Sequence, residues 1–311
     1  MNVNGGNNVA IGAQVLNKNE GSNNIGIGYR ALMNATSSNY LLAIGNEALY
    51  SNTQGFDNLA IGQQALRNNI SGSYNTAYGG FSLFRNTTAL DNTALGFEAL
   101  KFNTGSNNTA VGTAALFMND AVGNTGPTGS NNTGIGWHAG QTNTGGEWGA
   151  IITGDNNTFL GSMTGFAFSG TGVLAIQRNN ATAIGHDALV GCSNCVSIGN
   201  AQVVGVGIGT TTPFAKLSVT GNGTASGAAF QVANSSNAPK FTVLDNGNVS
   251  IGTKNPSKTF VVESLTGTTT VIFGSSTKPS CEQKYSTPSG NPVRVFYDDA
   301  GVQHSELGEC Q

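Results

Sequence analysis

Charge is scarce in this 311-residue chain: Asp, Glu, Lys and Arg together make up 9%, against about 25% in an ordinary soluble domain. A formal net charge of −3 gives no field to draw in phosphate, so no nucleic-acid partner is expected, nor is a cationic membrane-surface protein. Three His residues offer little for acid–base chemistry. No run of roughly 18 apolar residues exists, so no transmembrane helix and no direct membrane insertion are expected. The start, Met1-Asn2-Val3-Asn4-Gly5-Gly6, has neither the basic nor the apolar part of a signal peptide, and no anchor is visible. Seven Pro and the lack of a Gly-X-Y triplet exclude collagen. Apolar residues, at 38%, are too many for a disordered tail.

What is abundant is Gly, with 45 residues, and Asn, with 39. They recur in register. An Ala-Ile-Gly triplet or a near relative returns with its Gly at Gly12, Gly28, Gly45, Gly62, Gly79, Gly96 and Gly112, at intervals of 16 or 17 residues. It continues at longer intervals to Gly136, Gly161 and Gly185, then at shorter ones to Gly199 and Gly209. Such a period is too short for a helix pair and suits one turn of a parallel β-solenoid. The expected coil has two short strands and two corners, and about eleven coils stacked roughly 4.8 Å apart make a rod near 50 Å long.

The columns of the repeat carry its physics. Before each Gly stand Ile11, Ile27, Ile44, Ile61, Tyr78, Leu95 and Val111; two places earlier stand Val9, Ile25, Leu42, Leu59, Thr76, Thr93 and Thr109. Side chains alternate along a strand, so these share one face, while Ala10, Gly26, Ala43, Ala60, Ala77, Ala94 and Ala110 take the other. With no polar face, the strand is expected to be buried twice, once inside its own coil and once, through the Ala face, against other copies. Four places after the Gly, Leu16, Leu32, Leu49, Leu66, Leu83, Leu100 and Leu116 read as an interior ladder. Asn8, Asn24, Asn58, Asn75, Asn92 and Asn108 read as an amide ladder at the turn before the strand.

From about 120 to 200 the rhythm loosens around insertions at 123–129 and 165–170. Extra residues between coils form loops on one side, and such loops often bind. Trp137, His138, Trp148, Phe166 and Phe168 fall here, and they are the candidate binding residues, either stacking on sugar rings or merely capping widened coils. Near residue 205 Asn thins out, from 32 in the first 200 residues to 7 in the last 111. Three regions follow: a solenoid at 1–204, β-rich connector repeats at 205–265 and a β cap at 266–311. Phe241–Ser250, with Asn246-Gly247 at its centre, is a hairpin candidate. Val293–Tyr297 begins another, flanked by Cys281 and Cys310 as a disulfide candidate.

No active site is legible. Cys192-Ser193-Asn194-Cys195 lacks a partner pair for zinc, so a local disulfide or two thiols is the better reading. Glu47, Glu98 and Asp187 share a position that also accepts Gln14, Arg30, Gln64 and His138, which marks solvated surface rather than a catalytic carboxylate pair. The sequons at Asn34, Asn86 and Asn131 are what an Asn-rich composition produces by chance. The chain is expected to be no enzyme and to need no cofactor or metal.

The Asn-Asn-Thr-Ala-Ile-Gly type of repeat, over roughly residues 5–204, resembles the YadA-like heads of trimeric autotransporter adhesins, although its period is longer than usual there. The resemblance implies a β-roll whose chains pack in threes. It also implies an extracellular protein on a cell surface or virion fibre that binds a glycan or protein of a host or neighbouring cell. The segments Gly207-Ile208-Gly209-Thr210 with Pro213, and Ser250-Ile251-Gly252-Thr253 with Pro256, resemble repeats of phage tail fibres, which implies a receptor-binding fibre instead. Against both stands a structural filament without a ligand. A polysaccharide-cleaving solenoid lacks the stacked carboxylates it needs. An ice-binding one would need an outward Thr ladder, and the column of Thr76, Thr93, Thr109, Thr133, Thr158 and Thr182 is expected to be buried.

Overall fold

The computed structural model describes residues 5–117, 129–141, 154–167, 178–200, 202, 205–223, 227–256, 259–262, 281–284, 293–297 and 303–307. All regular structure among them is β, and no helix there is long and apolar enough to cross a membrane. The chain divides into two compact units, Met1–Val203 and Val204–Gln311.

The first unit is a parallel β-solenoid. Its strands are β1 (Val9–Ile11), β2 (Ile25–Ile27), β3 (Leu42–Ile44), β4 (Leu59–Ile61), β5 (Thr76–Tyr78), β6 (Thr93–Leu95), β7 (Thr109–Val111), β8 (Thr133–Ile135), β9 (Thr158–Leu160), β10 (Gly165–Phe166), β11 (Thr182–Ile184), β12 (Leu189–Val190) and β13 (Val196–Ile198). Eleven of them form one sheet in the order β1 to β9, β11, β13, every pairing parallel and in register. β10 and β12 pair separately.

Each early coil holds one strand rather than the two expected. The returning side is a chain of turns in which the second and fourth residues after the Gly take left-handed backbone, for example Gln64 (φ 57°) and Leu66 (φ 50°). That conformation costs an L-residue about 1–2 kcal/mol. Burying a Leu side chain returns roughly 1.5–3 kcal/mol, and Leu16 to Leu116 are all buried. Leu66 N also donates to Ser82 O of the next coil at 3.0 Å, so the returning side is stitched by hydrogen bonds as the strand side is.

The strand faces lie opposite to expectation. Ala43, Ala60, Ala77, Ala94 and Ala110 are fully buried inside the chain's own coil, and the Ile, Leu, Val, Tyr and Thr columns point outward. The reason is space. At Gly134, which takes an Ala position, an added Cβ would lie 2.7 Å from Leu116 Cγ; at Gly26 it would lie 2.5 Å from Val15 Cγ1. The Leu ladder reaches across the coil until only a methyl group fits beneath the strand. Phe159 is buried in this column only where Phe166, 5.2 Å away edge to face, replaces the Leu packing.

The Gly that closes each strand is fixed by its neighbour. Gly62 has φ 134°, and a Cβ there would lie 2.5 Å from the carbonyl carbon and oxygen of Gly79; from Gly12 to Gly161 the nearest carbonyl atom of the next Gly would lie at 2.3–2.8 Å. Asn ladders complete the stack. Asn58 Oδ1 accepts from Asn75 N at 2.9 Å, and Asn75 Oδ1 accepts from Asn92 N at 3.1 Å. Asn75 Nδ2 donates to Ala89 O at 2.9 Å. A second buried ladder, Asn52, Asn69, Asn86 and Asn103, runs from side chain to side chain. Asn86, one of the three sequons, is thus sealed inside it. Arg178 closes the far end, donating to Ala167 O and Val190 O at 2.9 Å with its guanidinium 5.3 Å from the Phe166 ring. Cys192 and Cys195 are joined as a disulfide.

The second unit begins with the parallel pair β14 (Val206–Ile208) and β15 (Leu217–Val219). A sheet of β16 (Ala228–Ala233), β17 (Pro239–Leu244), β18 (Val249–Ile251) and β19 (Phe260–Val262) follows. β17 and β18 form the Asn-Gly hairpin, with Gly247 at φ 86°. β20 (Cys281–Lys284), β21 (Val293–Tyr297) and β22 (Gln303–Leu307) make an antiparallel sheet. Cys310 lies outside the described residues.

Gly62→Ala combines a strained backbone, worth roughly 1–3 kcal/mol, with overlap onto the next coil. It is expected to lower the urea midpoint clearly and to expose the amides of β3 to β5 to hydrogen exchange. Gly6→Ala, with nothing near its Cβ, is expected to leave both unchanged.

Candidate binding surfaces

Two extended surfaces of the solenoid could meet another molecule. The first is the outward face of the eleven-stranded sheet. It carries two side chains per strand and no charged residue. Ile11 is 57% exposed at one end and Ile198 54% at the other. Across β1 to β4 both columns are aliphatic. From β5 to β11 the first column is Thr, and those Thr side chains are half-buried or exposed, not buried as expected.

The second surface lies where the returning side turns the next corner. Five residues after successive strand Gly, the column reads Tyr50, Arg67, Phe84, Lys101 and Phe117, so aromatic and cationic side chains alternate. The Arg67 guanidinium lies 5.1 Å from the Tyr50 ring and 6.0 Å from that of Phe84. Lys101 Nζ is 5.3–5.4 Å from the rings of Phe81, Phe102 and Phe117. Stacking at the coil spacing puts each cation over its neighbours' rings, where the ring quadrupole attracts it.

Glu47 ties three coils together here. It accepts from Arg67 Nε at 2.7 Å and from Gln64 Nε2 at 3.0 Å, with Arg30 Nη1 at 3.7 Å. The hydrogen bond from Arg67 holds its carboxyl below the usual 4.5, against the opposing effect of partial burial. Lys101 pairs with Glu98 at 2.6 Å.

The residues proposed from sequence fare unevenly. Trp137 is 46% exposed, packed 4.2 Å from the His138 ring, and His138 Nδ1 lies 2.6 Å from Gln141 Oε1. Phe166 is no surface residue: at 1% exposure it fills the interior beside Phe159. Its place in a loosened stretch of sequence suggested a loop, yet in β10, one place beyond the register of the Leu ladder, it turns inward and takes over the inner packing. Trp148 and Phe168 lie outside the described residues. The alternating ladder and the second Asn ladder, three residues after each Leu, went unread although both keep a constant spacing.

A shallow hollow of about 600 Å³ is lined by Asp187, Leu189, Ser197, Ile198, Gly199 and Asn200. Among the described residues no three His, Cys, Asp or Glu side chains come together as a metal site requires. No protein-family model, no curated relative and no solved structure matches this chain.

Because the folded pKa of Glu47 lies below its unfolded value, the stabilisation is complete above pH 4.5 and drains away as pH falls through the lowered pKa. Glu47→Gln should therefore lower Tm at pH 7, and that deficit relative to the parent chain should shrink progressively as pH falls below 4.5. Melting curves of the two proteins across this range check it.

Proposed function

We propose that this chain is the non-enzymatic head of an extracellular trimeric fibre or adhesin, which holds a surface receptor or glycan by many weak contacts at once. The outward sheet face carries the reading. It is uncharged over a length of roughly 48 Å, ten steps of about 4.8 Å; both columns are aliphatic across β1 to β4 and the second column stays apolar to Ile198, and a continuous exposed apolar strip of that kind marks a contact with another molecule. A second copy is the natural occupant. The strip is straight and repetitive, as identical stacks laid side by side would need, and its exposed residues carry no charge to repel their like. The second unit supports the same conclusion: Phe214 is 98% exposed, and Val232, Ile251 and Phe260 are also exposed. Three copies give every weak site threefold valency on a rigid support. The repeat's resemblance to adhesin heads, and that of the Gly-Ile-Gly-Thr segments to tail fibres, favour a fibre in either setting.

A second reading rests on the Thr ladder of β5 to β11, which points outward and could order water at ice. It competes for the same face and requires a monomer.

Light scattering behind a sizing column is expected to give three times the chain's 31.7 kDa. Ile44→Lys together with Ile61→Lys should shift that mass to the monomer while the circular dichroism of the solenoid persists. A monomeric parent chain would overturn the trimer, and thermal hysteresis would then test the ice reading.

A further inference from the structure

The corner that leads into each strand is built from polar columns. Six residues before the strand Gly stand mostly Ser, Asn and Asp, whose side chains accept from the backbone of the preceding coil. Gly6 N donates to Ser22 Oγ at 3.0 Å and Ser22 N to Asn39 Oδ1 at 2.8 Å; Ser106 N to Ser130 Oγ at 3.2 Å follows the same rule. One place on, the backbone is left-handed at every coil, with φ between 51° and 61°, and the residue is Asn or Asp in all but two. Such backbone suits Asn and Asp because their short side chains bond locally. A third column of Thr runs nearby, with Thr36 Oγ1 donating to Thr53 O at 3.0 Å.

Five apolar residues break these rules: Tyr40, Phe56, Ile70, Tyr74 and Leu90. All are 40–61% exposed. All precede β3, β4, β5 or β6, so the exceptions share one corner over four adjacent coils of the eleven-coil stack. Tyr40 and Tyr74 take left-handed backbone that the column otherwise reserves for Asn and Asp. Phe56 and Leu90 give up the side-chain acceptor that the rest of their column supplies. Exposed apolar groups placed where each column prefers a polar one, against the local rule, mark function rather than folding.

The chemistry is specific. Tyr40, Asp57, Tyr74 and Asp91 alternate in one column, and Phe56 meets Tyr74 edge to face at 5.1 Å. Asp57 and Asp91 are exposed carboxylates, which only accept hydrogen bonds. No Lys or Arg belongs to the corner; Arg30, Arg67 and Lys101 cluster with Glu47 and Glu98 on the returning side. Aromatic rings that can lie against C–H faces, beside acceptors for hydroxyl groups and without cations, fit an uncharged saccharide and disfavour an acidic one.

We propose that this corner is the glycan-binding site of the head and that its ligand is a neutral polysaccharide. The proposal rests on the adhesin reading and narrows it. A second copy is a poorer occupant, because an interface between parallel stacks would run the length of the solenoid, as the sheet face does, and would not stop after four coils.

The test is calorimetric titration of the full chain with neutral glucan, mannan and galactan and with acidic polygalacturonate. Binding of at least one neutral polymer is expected. Tyr40→Asn with Tyr74→Asn restores the column residue, so it should weaken binding at least tenfold while Tm holds or rises. Asp57→Asn should also weaken it. Unchanged binding by the double variant, or binding of polygalacturonate alone, overturns the site while leaving a trimeric adhesin in place. A double variant that falls from trimer to monomer overturns it as well, by showing the corner to be a contact between copies. A parent chain that is monomeric and binds no polymer overturns both readings together.

Discussion

The repeat is governed by how little room lies between the strand and the returning side of each coil. The Leu ladder spans that gap, so the inward position of the strand accepts Ala or Gly, and larger side chains are forced to the outside. This one steric limit explains the Ala column, the left-handed Leu backbone that aims each side chain across, and the apolar outer face. The outer face is what the interior excluded. A protein with so thin a core exposes much apolar surface per residue, and association is the usual remedy.

Much of this architecture was legible in the sequence. The period, the number of coils, the buried Leu ladder and the Asn turns all follow from spacing, because a stack repeats its contacts at every coil. The assignment of faces did not follow. Alternation says that Ala60 and Ile61 point opposite ways and nothing about which way is in. Size suggested Ile61 inside, and volume decided otherwise through Leu66 and its neighbours. The returning side was misread as a strand because left-handed Gln64 and Leu66 leave no mark on hydrophobic alternation. Phe166 was misplaced because it stands one place beyond the register of the Leu ladder, where Tyr50 and Arg67 lie in earlier coils, so spacing did not mark it as interior.

The binding surfaces were harder to read for a different reason. Sequence reasoning looked for unusual residues in irregular stretches, which led to Trp137 and Trp148. The more telling exceptions, Tyr40, Phe56 and Tyr74, sit in the most regular coils. They stand out only against the hydrogen bonds that Ser22 and Ser106 accept, and the left-handed backbone that Asn107 adopts, at the equivalent places. The few charges behave similarly. Arg67 is paired with Glu47 and Lys101 with Glu98, and both cations face aromatic rings along one line, so scarcity of charge over the chain coexists with a dense local network.

The Asn ladders carry a further consequence. Each amide of the first ladder serves the backbone of an adjacent coil, as Asn75 meets the N–H of Asn92 and the carbonyl of Ala89, and each amide of the second meets the amide of the next coil. A coil is therefore completed only by its neighbours, and every interior coil offers the next the same set of donors and acceptors. Deleting or duplicating part of a coil would leave buried groups stranded, whereas a whole coil can be removed or copied with both new junctions already matched. Reach thus becomes a quantity that recombination can adjust in steps of about 4.8 Å. A lineage could lengthen or shorten the molecule without altering any contact within it.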